Sequence, residues 1–188
     1  MRLQLKIINL LLSKKNLTIN QIAKELNESY SFVNRTISTM IQENILLKEK
    51  IGHSIICNLN KKNDKTKALI NLNEVNKKQK FLEKNKELKL ITDEIEIEAD
   101  SIGIFGSYAK SIQTKESDID IFIITNKKPD LTSLVRNIHA KYGKEITPLI
   151  LTKSQFKTDK PIIKEIFQHH ILLTGFEYFI NLMLENET

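Results

Sequence analysis

Tryptophan is absent and cysteine occurs once, at Cys57, so no intramolecular disulfide can brace the chain and a disulfide scaffold is excluded. Proline occurs three times and glycine five times, too rarely for a collagenous chain. No apolar run reaches the roughly 18 residues a membrane helix needs. The opening MRLQLKIINLLLSKK is broken by Gln4, Lys6 and Asn9, and no small-residue cleavage site follows it. The expectation is therefore no signal peptide, no membrane span and a reducing cytoplasm. What remains is ordinary: 188 residues, 40% hydrophobic and 28% charged, which suits one or two small folded domains and excludes a disordered chain.

The formal charge of +6 is unevenly spread. Residues 1–60 carry 8 Lys and Arg against 4 Asp and Glu, residues 61–90 carry 10 against 4, and residues 91–188 carry 11 against 15. A basic front joined to an acidic back predicts a module that faces a polyanion, followed by a unit of different purpose.

Leu3, Leu5, Ile7, Ile8, Leu10, Leu11 and Leu12 are too densely apolar for strand alternation and predict a buried helix ending near Ser13. Thr18 is placed to cap a second helix, whose Ile19, Ile22, Ala23 and Leu26 fall on one face. After a break at Asn27 and Glu28, Ser29 or Ser31 caps a third helix carrying Phe32, Val33, Ile37, Met40 and Ile41 to about Glu43. ILLKEKIGHSIICNL then reads as a β-hairpin turning at Gly52 and His53, with Cys57 as a core filler.

Three helices and a hairpin resemble the winged-helix DNA-binding family, with TINQIAKELNESYSFVNRTISTMIQENIL as the helix-turn-helix and Ala23 at its tightly packed position. The resemblance implies that the third helix enters the major groove and the wing touches the backbone. Tyr30, Ser31, Asn34, Arg35 and Ser38 are then the candidate base-reading residues, and Lys48, Lys50 and His53 on the wing are candidates for phosphates.

Residues 61–94 form the next expected segment. They hold no proline or glycine, and Leu69, Ile70, Leu72, Val75, Phe81, Leu82, Leu88 and Leu90 lie roughly on one stripe, which predicts a basic connecting helix or helix pair. From residue 95 the texture changes. SIGIFG (101–106), DIDIFIIT (118–125) and EITPLIL (145–151) are strand candidates, and Pro148 argues for an edge position or a bulge in the last. Leu131 to Tyr142 has helical spacing and Gly143 closes it. Helices around 162–169 and 176–185 flank a fourth strand candidate at 171–174. His169 and His170 are adjacent and no Cys/His cluster accompanies them, so both read as helix-terminal polar residues rather than metal ligands, as does His139 within its helix.

IFGSYAKSIQTKESDIDIFII (104–124) is the segment with chemistry in it. Side chains two apart on a strand share a face, so Asp118 and Asp120 present paired carboxylates while Ile119 and Ile121 enter the opposite layer. Oxygen pairs of this kind suit Mg²⁺, which takes one or two carboxylates and completes its shell with phosphate oxygens and water. Gly106 ends the preceding strand where a side chain would obstruct a phosphate. Ser107 opens a short helix whose backbone N–H groups favour an anion, with Lys110 as a charge partner on the same turn.

The joint pattern resembles the signature of the DNA polymerase beta-like nucleotidyltransferase superfamily, and is similar in form to antitoxin-type minimal members that modify a partner protein. The resemblance implies an α+β chain: a winged-helix domain (1–60), a helical connector (61–94) and a small mixed-sheet nucleotidyltransferase domain with flanking helices (95–188). It implies Mg²⁺-dependent transfer of a nucleoside monophosphate from a nucleoside triphosphate. Asp118 and Asp120 would hold metal, and Gly106, Ser107 and Lys110 would hold the triphosphate. The acceptor stays open, a protein included, as does a homodimer. Two departures stand out. Ser111 occupies a position where members commonly have glycine. Thr147 aligns with a third carboxylate that serves as base or metal ligand, leaving Glu145, two residues upstream, as the substitute. The alternative is a DNA-binding regulator whose transferase-like domain only senses nucleotide.

Overall fold

The computed structural model describes residues 2–52, 54–157 and 160–186. The chain divides into two units, Met1–Asn73 and Glu74–Thr188, with the boundary inside a single helix, α4 (Asp64–Lys84).

In the first unit, α1 (Arg2–Ser13) buries Leu3, Ile7, Ile8 and Leu11, the stripe expected of helical spacing. β1 (Leu17–Thr18) follows, a two-residue strand that the sequence does not announce. Thr18 then caps α2 (Ile19–Leu26) reciprocally: its hydroxyl accepts from the Gln21 N–H at 3.3 Å, and the Gln21 carbonyl accepts from the Thr18 N–H at 2.8 Å. Asn27 ends this helix in the left-handed region. Of the two serines considered as caps for α3 (Tyr30–Gln42), Ser29 does the work, accepting from Phe32 N–H at 3.4 Å. Val33, Ile37 and Met40 turn inward.

β2 (Leu46–Ile51) and β3 (Ser54–Leu59) form the hairpin, and β1 adds to the far side of β3, giving the antiparallel order β1-β3-β2. Register puts Leu46, Cys57 and Leu59 on the inner face, all buried. Cys57 is thus packing, and its burial raises the thiol pKa. His53 at the hairpin tip lies outside the described residues.

In the second unit, α4 breaks at Asn85 and α5 (Lys86–Asp93) follows, so the connecting stretch is a helix pair. Next come β4 (Ser101–Ile104), α6 (Gly106–Ala109), β5 (Ile119–Ile124), α7 (Thr132–Tyr142), β6 (Ile146–Leu151), α8 (Lys153–Phe156), α9 (Pro161–Gln168), β7 (Ile171–Thr174) and α10 (Phe176–Asn186). The sheet is mixed, with order β6-β5-β4-β7: β4 runs antiparallel to β5 and β7, and β5 runs parallel to β6.

Strand alternation divides the core by face. Ile102, Ile104, Ile119, Ile121, Ile123 and Ile146 pack with Leu88 and Ile91 of α5 and Ile138 of α7. On the other face Phe122 meets Phe105, Phe156 and Phe179 at ring-centroid distances of 6.4, 6.2 and 5.4 Å. Gly103 makes room for this cluster, since a Cβ there would lie 2.5 Å from the Phe122 ring. Pro148 is on the sheet's edge strand, as expected. The carbonyls of Glu145 and Leu151 accept from Ile119 and Thr125 of the β5 segment at 2.8 and 3.0 Å, so odd-numbered main-chain groups face β5. Even-numbered Pro148 points to the open edge, where its missing N–H breaks no ladder bond.

Candidate functional site

The turn from β4 into α6 and the start of β5 meet at one rim of the mixed sheet. Phe105 N–H donates to the Asp120 carbonyl at 3.0 Å, which fixes the turn against the strand. Gly106 follows with φ +66°, and a Cβ there would lie 2.2 Å from Asp120 Oδ2 and 3.0 Å from its Cγ. Only glycine satisfies both the backbone and the closeness of this carboxylate.

Asp118, exposed, precedes β5, and Asp120, half-buried, is its second residue. Burial pushes the Asp120 carboxyl pKa up, the charges of Asp118 and Glu165 push it further, and Lys110 opposes them. The two aspartates are therefore electrostatically coupled, with negative charge concentrated beside Gly106.

Gly106, not Ser107, opens α6; Ser107 is its second residue and is half-buried, while the next residue, Tyr108, turns into the core. Lys110 caps the helix and donates to Glu165 Oε1 of α9 at 2.6 Å, each side chain about one-third exposed (32% and 33%). Ser111 takes a left-handed φ of 58°, the conformation glycine reaches without strain and a serine only at a cost of about 1–2 kcal/mol.

Thr147 is the direct register partner of Asp120 on β6, so a hydroxyl and not a carboxylate stands beside Asp120 on that strand. Glu145 sits just before β6 with its side chain exposed, bordering an open groove of about 770 Å³ that also holds Arg136 and His139. It is not among the charges that displace Asp120, whereas Glu165 is. Nothing in the sequence signals Glu165, because its approach depends on the tertiary contact that brings α9 to Lys110.

In the first unit, Tyr30, Ser31, Arg35 and Ser38 are exposed along α3 and Asn34 is half-buried, all away from the inward Val33 and Ile37. Lys48 and Lys50 are exposed, and register puts them on the same hairpin face as Leu46, Cys57 and Leu59, toward the turn.

Among the described residues no three His, Cys, Asp or Glu side chains cluster closely enough to hold a metal unaided. The donor set of Asp118 and Asp120 fits Mg²⁺, which needs only one or two carboxylates beside substrate oxygens, and a cation would relieve the repulsion that raises Asp120. No helix among the described residues is long and apolar enough to cross a membrane.

The family described as "Polymerase beta, Nucleotidyltransferase" matches residues 76–176, more than half of the chain, and the protein belongs to that family. The match contains Gly106, Ser107, Asp118, Asp120, Thr147 and Glu165, and stops short of the first unit. A solved structure described as "Crystal structure of the toxin-antitoxin with AMP-PNP" is similar at 15% identity and a TM-score of 0.39, covering 53% of this chain and 80% of that one. No curated protein matches the chain.

Proposed function

We propose that the protein is an Mg²⁺-dependent nucleotidyltransferase that moves a nucleoside monophosphate from a nucleoside triphosphate to an acceptor, and that its first unit is a winged helix that binds DNA. The observation that carries the transferase reading is the seating of Gly106 directly on the Asp120 carboxylate, beside Asp118. Asp118 and Asp120 would hold the metal, which when bound neutralises charge on the phosphate oxygens. The open Gly106 turn admits the triphosphate, and the Ser107 hydroxyl donates to a phosphate oxygen. An acceptor oxygen bonds to the α-phosphorus while the bond to pyrophosphate breaks on the opposite side. Glu165 replaces Glu145 in this reading as the third acid, because its charge reaches Asp120 and Lys110 holds it there.

Incubation with each labelled nucleoside triphosphate and Mg²⁺ is expected to place label on an acceptor. Asp118→Ala or Asp120→Ala should reduce transfer by more than the roughly 10–100-fold that losing an outer partner of a metal costs. Thr147 opposite Asp120 favours the rival, a regulator that senses nucleotide without transferring it. Saturable nucleotide binding with no label transferred under any condition would establish that rival.

For the first unit, the exposed Arg35 on α3 and the paired Lys48 and Lys50 support groove and backbone contact. Duplex affinity should fall linearly on a log scale with salt, and Arg35→Ala should cost about 1–3 kcal/mol of sequence discrimination. Binding indifferent to both would remove the DNA reading.

A further inference from the structure

Lys110 and Glu165 hold each other, Nζ to Oε1 at 2.6 Å, across 55 positions of sequence. That contact sets their two tasks in opposition. A cation drawn to Glu165 meets an ammonium beside it, and a triphosphate drawn to Lys110 meets a carboxylate. Each ligand arriving alone is therefore repelled by the partner that the other would engage.

The backbone under Lys110 is pinned. Its N–H donates to the Gly106 carbonyl at 3.2 Å, Ser111 N–H donates to the Tyr108 carbonyl at 3.1 Å, and Ile112 N–H donates to the Ser107 carbonyl at 3.1 Å. Lys110 thus stays one helical turn from the Gly106 cradle, and its side chain is the part free to change partner. Glu165 is anchored likewise: Ile163 and Ile166 on either side of it are buried, and its carbonyl accepts from His169 N–H at 2.8 Å. The pair itself is easily opened. With each side chain about one-third exposed, it is worth no more than a factor of about five in an equilibrium.

Both charges act on the acidic pair. After burial and the charge of Asp118, Glu165 is the next influence that raises the Asp120 carboxyl pKa, and Lys110 is the one that lowers it. Yet among the described residues no three acids stand close enough to hold a metal. The third acid is near the other two but is engaged by the lysine.

We propose that the Lys110–Glu165 pair is an exchangeable latch that makes the two ligands of the site bind as a unit: closed in the empty protein, it opens when a triphosphate takes the Lys110 ammonium, and the Glu165 carboxylate so released joins Asp118 and Asp120 in holding the divalent cation. The inference rests on the transferase reading and adds to it a coupling between cation and triphosphate, reciprocal as any linkage between two sites must be. Lys110 is a positioning residue for Glu165 as well as a phosphate contact.

The test uses the full-length protein and reads the two ligands separately. Mn²⁺ is titrated without nucleotide and followed by electron paramagnetic resonance, and each labelled nucleoside triphosphate is titrated in EDTA by equilibrium dialysis. Lys110→Gln should tighten Mn²⁺ about fivefold by releasing Glu165, and this gain should vanish in the Glu165→Gln background. Glu165→Gln should tighten the triphosphate by a similar factor, and that gain should vanish in the Lys110→Gln background. Lys110→Arg, which keeps the charge, should bind both ligands as the wild type does. Gains of equal size in both backgrounds would mean that the two charges act independently; that result, or no gain at all, overturns the latch. Either of these with label still transferred by the wild type leaves the transferase standing. A wild type that binds neither Mn²⁺ nor triphosphate, separately or together, refutes the transferase and the latch with it.

Discussion

Gly106→Ala is expected to abolish nucleotidyl transfer in a protein that still folds. The new methyl carbon would lie 2.2 Å from Asp120 Oδ2, so one of the two must move. Asp120 has its carbonyl bonded to Phe105 N–H at 3.0 Å and is paired in register with Thr147, so its backbone is fixed and its carboxylate has to swing away. A displacement on the order of 1 Å at a reacting centre costs about 100-fold in rate, and here the displaced group is one of only two proposed metal ligands. Stability suffers less. Alanine at φ +66° adds about 1–2 kcal/mol of backbone strain, a few degrees in thermal midpoint for a chain of this size. Measuring label transfer and thermal unfolding on the same preparation separates the two effects. A fully active Gly106→Ala protein would mean that Asp120 does not need its present position, and the site would have to be sought elsewhere.

Alternation in DIDIF locates β5 and assigns its faces, because period-two side-chain orientation is a local property that no later part of the chain can reverse. The position of Pro148 was equally legible: a residue without an N–H tolerates only an outward-facing place in a sheet, and β6 is an edge strand. Thr147, which the resemblance aligns with a third carboxylate, lies in register with Asp120 on β6.

Three features were missed, two of them because the sequence carries no local signal for them. β1 has no signal of its own, since Leu17 and Thr18 become a strand only by pairing with Cys57 and Ile56. α8 did leave one: Thr152 and Gln155 form the same reciprocal cap as Thr18 and Gln21, with the Gln155 carbonyl accepting from the Thr152 N–H at 2.9 Å. Glu165 was invisible because its place beside Lys110 depends on the packing of α9 and on nothing near either residue in sequence. The adjacent histidines part company in the structure. His169 caps α9 and is exposed, whereas His170 is 4% exposed and enters the core.

Glu74→Ala should be the most destabilising single change outside the apolar core, because it strips the partner from that histidine. The Nδ1 of His170 is 2.7 Å from the Ile166 carbonyl and its ring lies 4.6 Å from Phe179, so the imidazole cannot turn outward without breaking both contacts. Its Nε2 lies 3.2 Å from Glu74 Oε2, the carboxylate it meets inside the core. Burial alone would raise the Glu74 carboxyl pKa. The contact with His170, then its charge, then Lys77 at 3.4 Å outweigh that, and hold the carboxyl below its usual range. Removing one member of a buried pair costs about 3–5 kcal/mol, since the other keeps its desolvation penalty without compensation. Because the folded pKa is depressed, the carboxylate's contribution is complete above its unfolded value of about 4.3 and is lost as pH falls through the folded value. The gap in stability between wild type and Glu74→Ala should therefore be widest near neutrality and narrow in acid. Glu74→Leu combined with His170→Leu should recover much of the loss, as apolar replacements of buried pairs do. Equal unfolding midpoints for Glu74→Ala and wild type at neutral pH, or a gap that does not narrow below about pH 4, would show that the pair is merely adjacent and that Lys77 alone sets the carboxylate's charge.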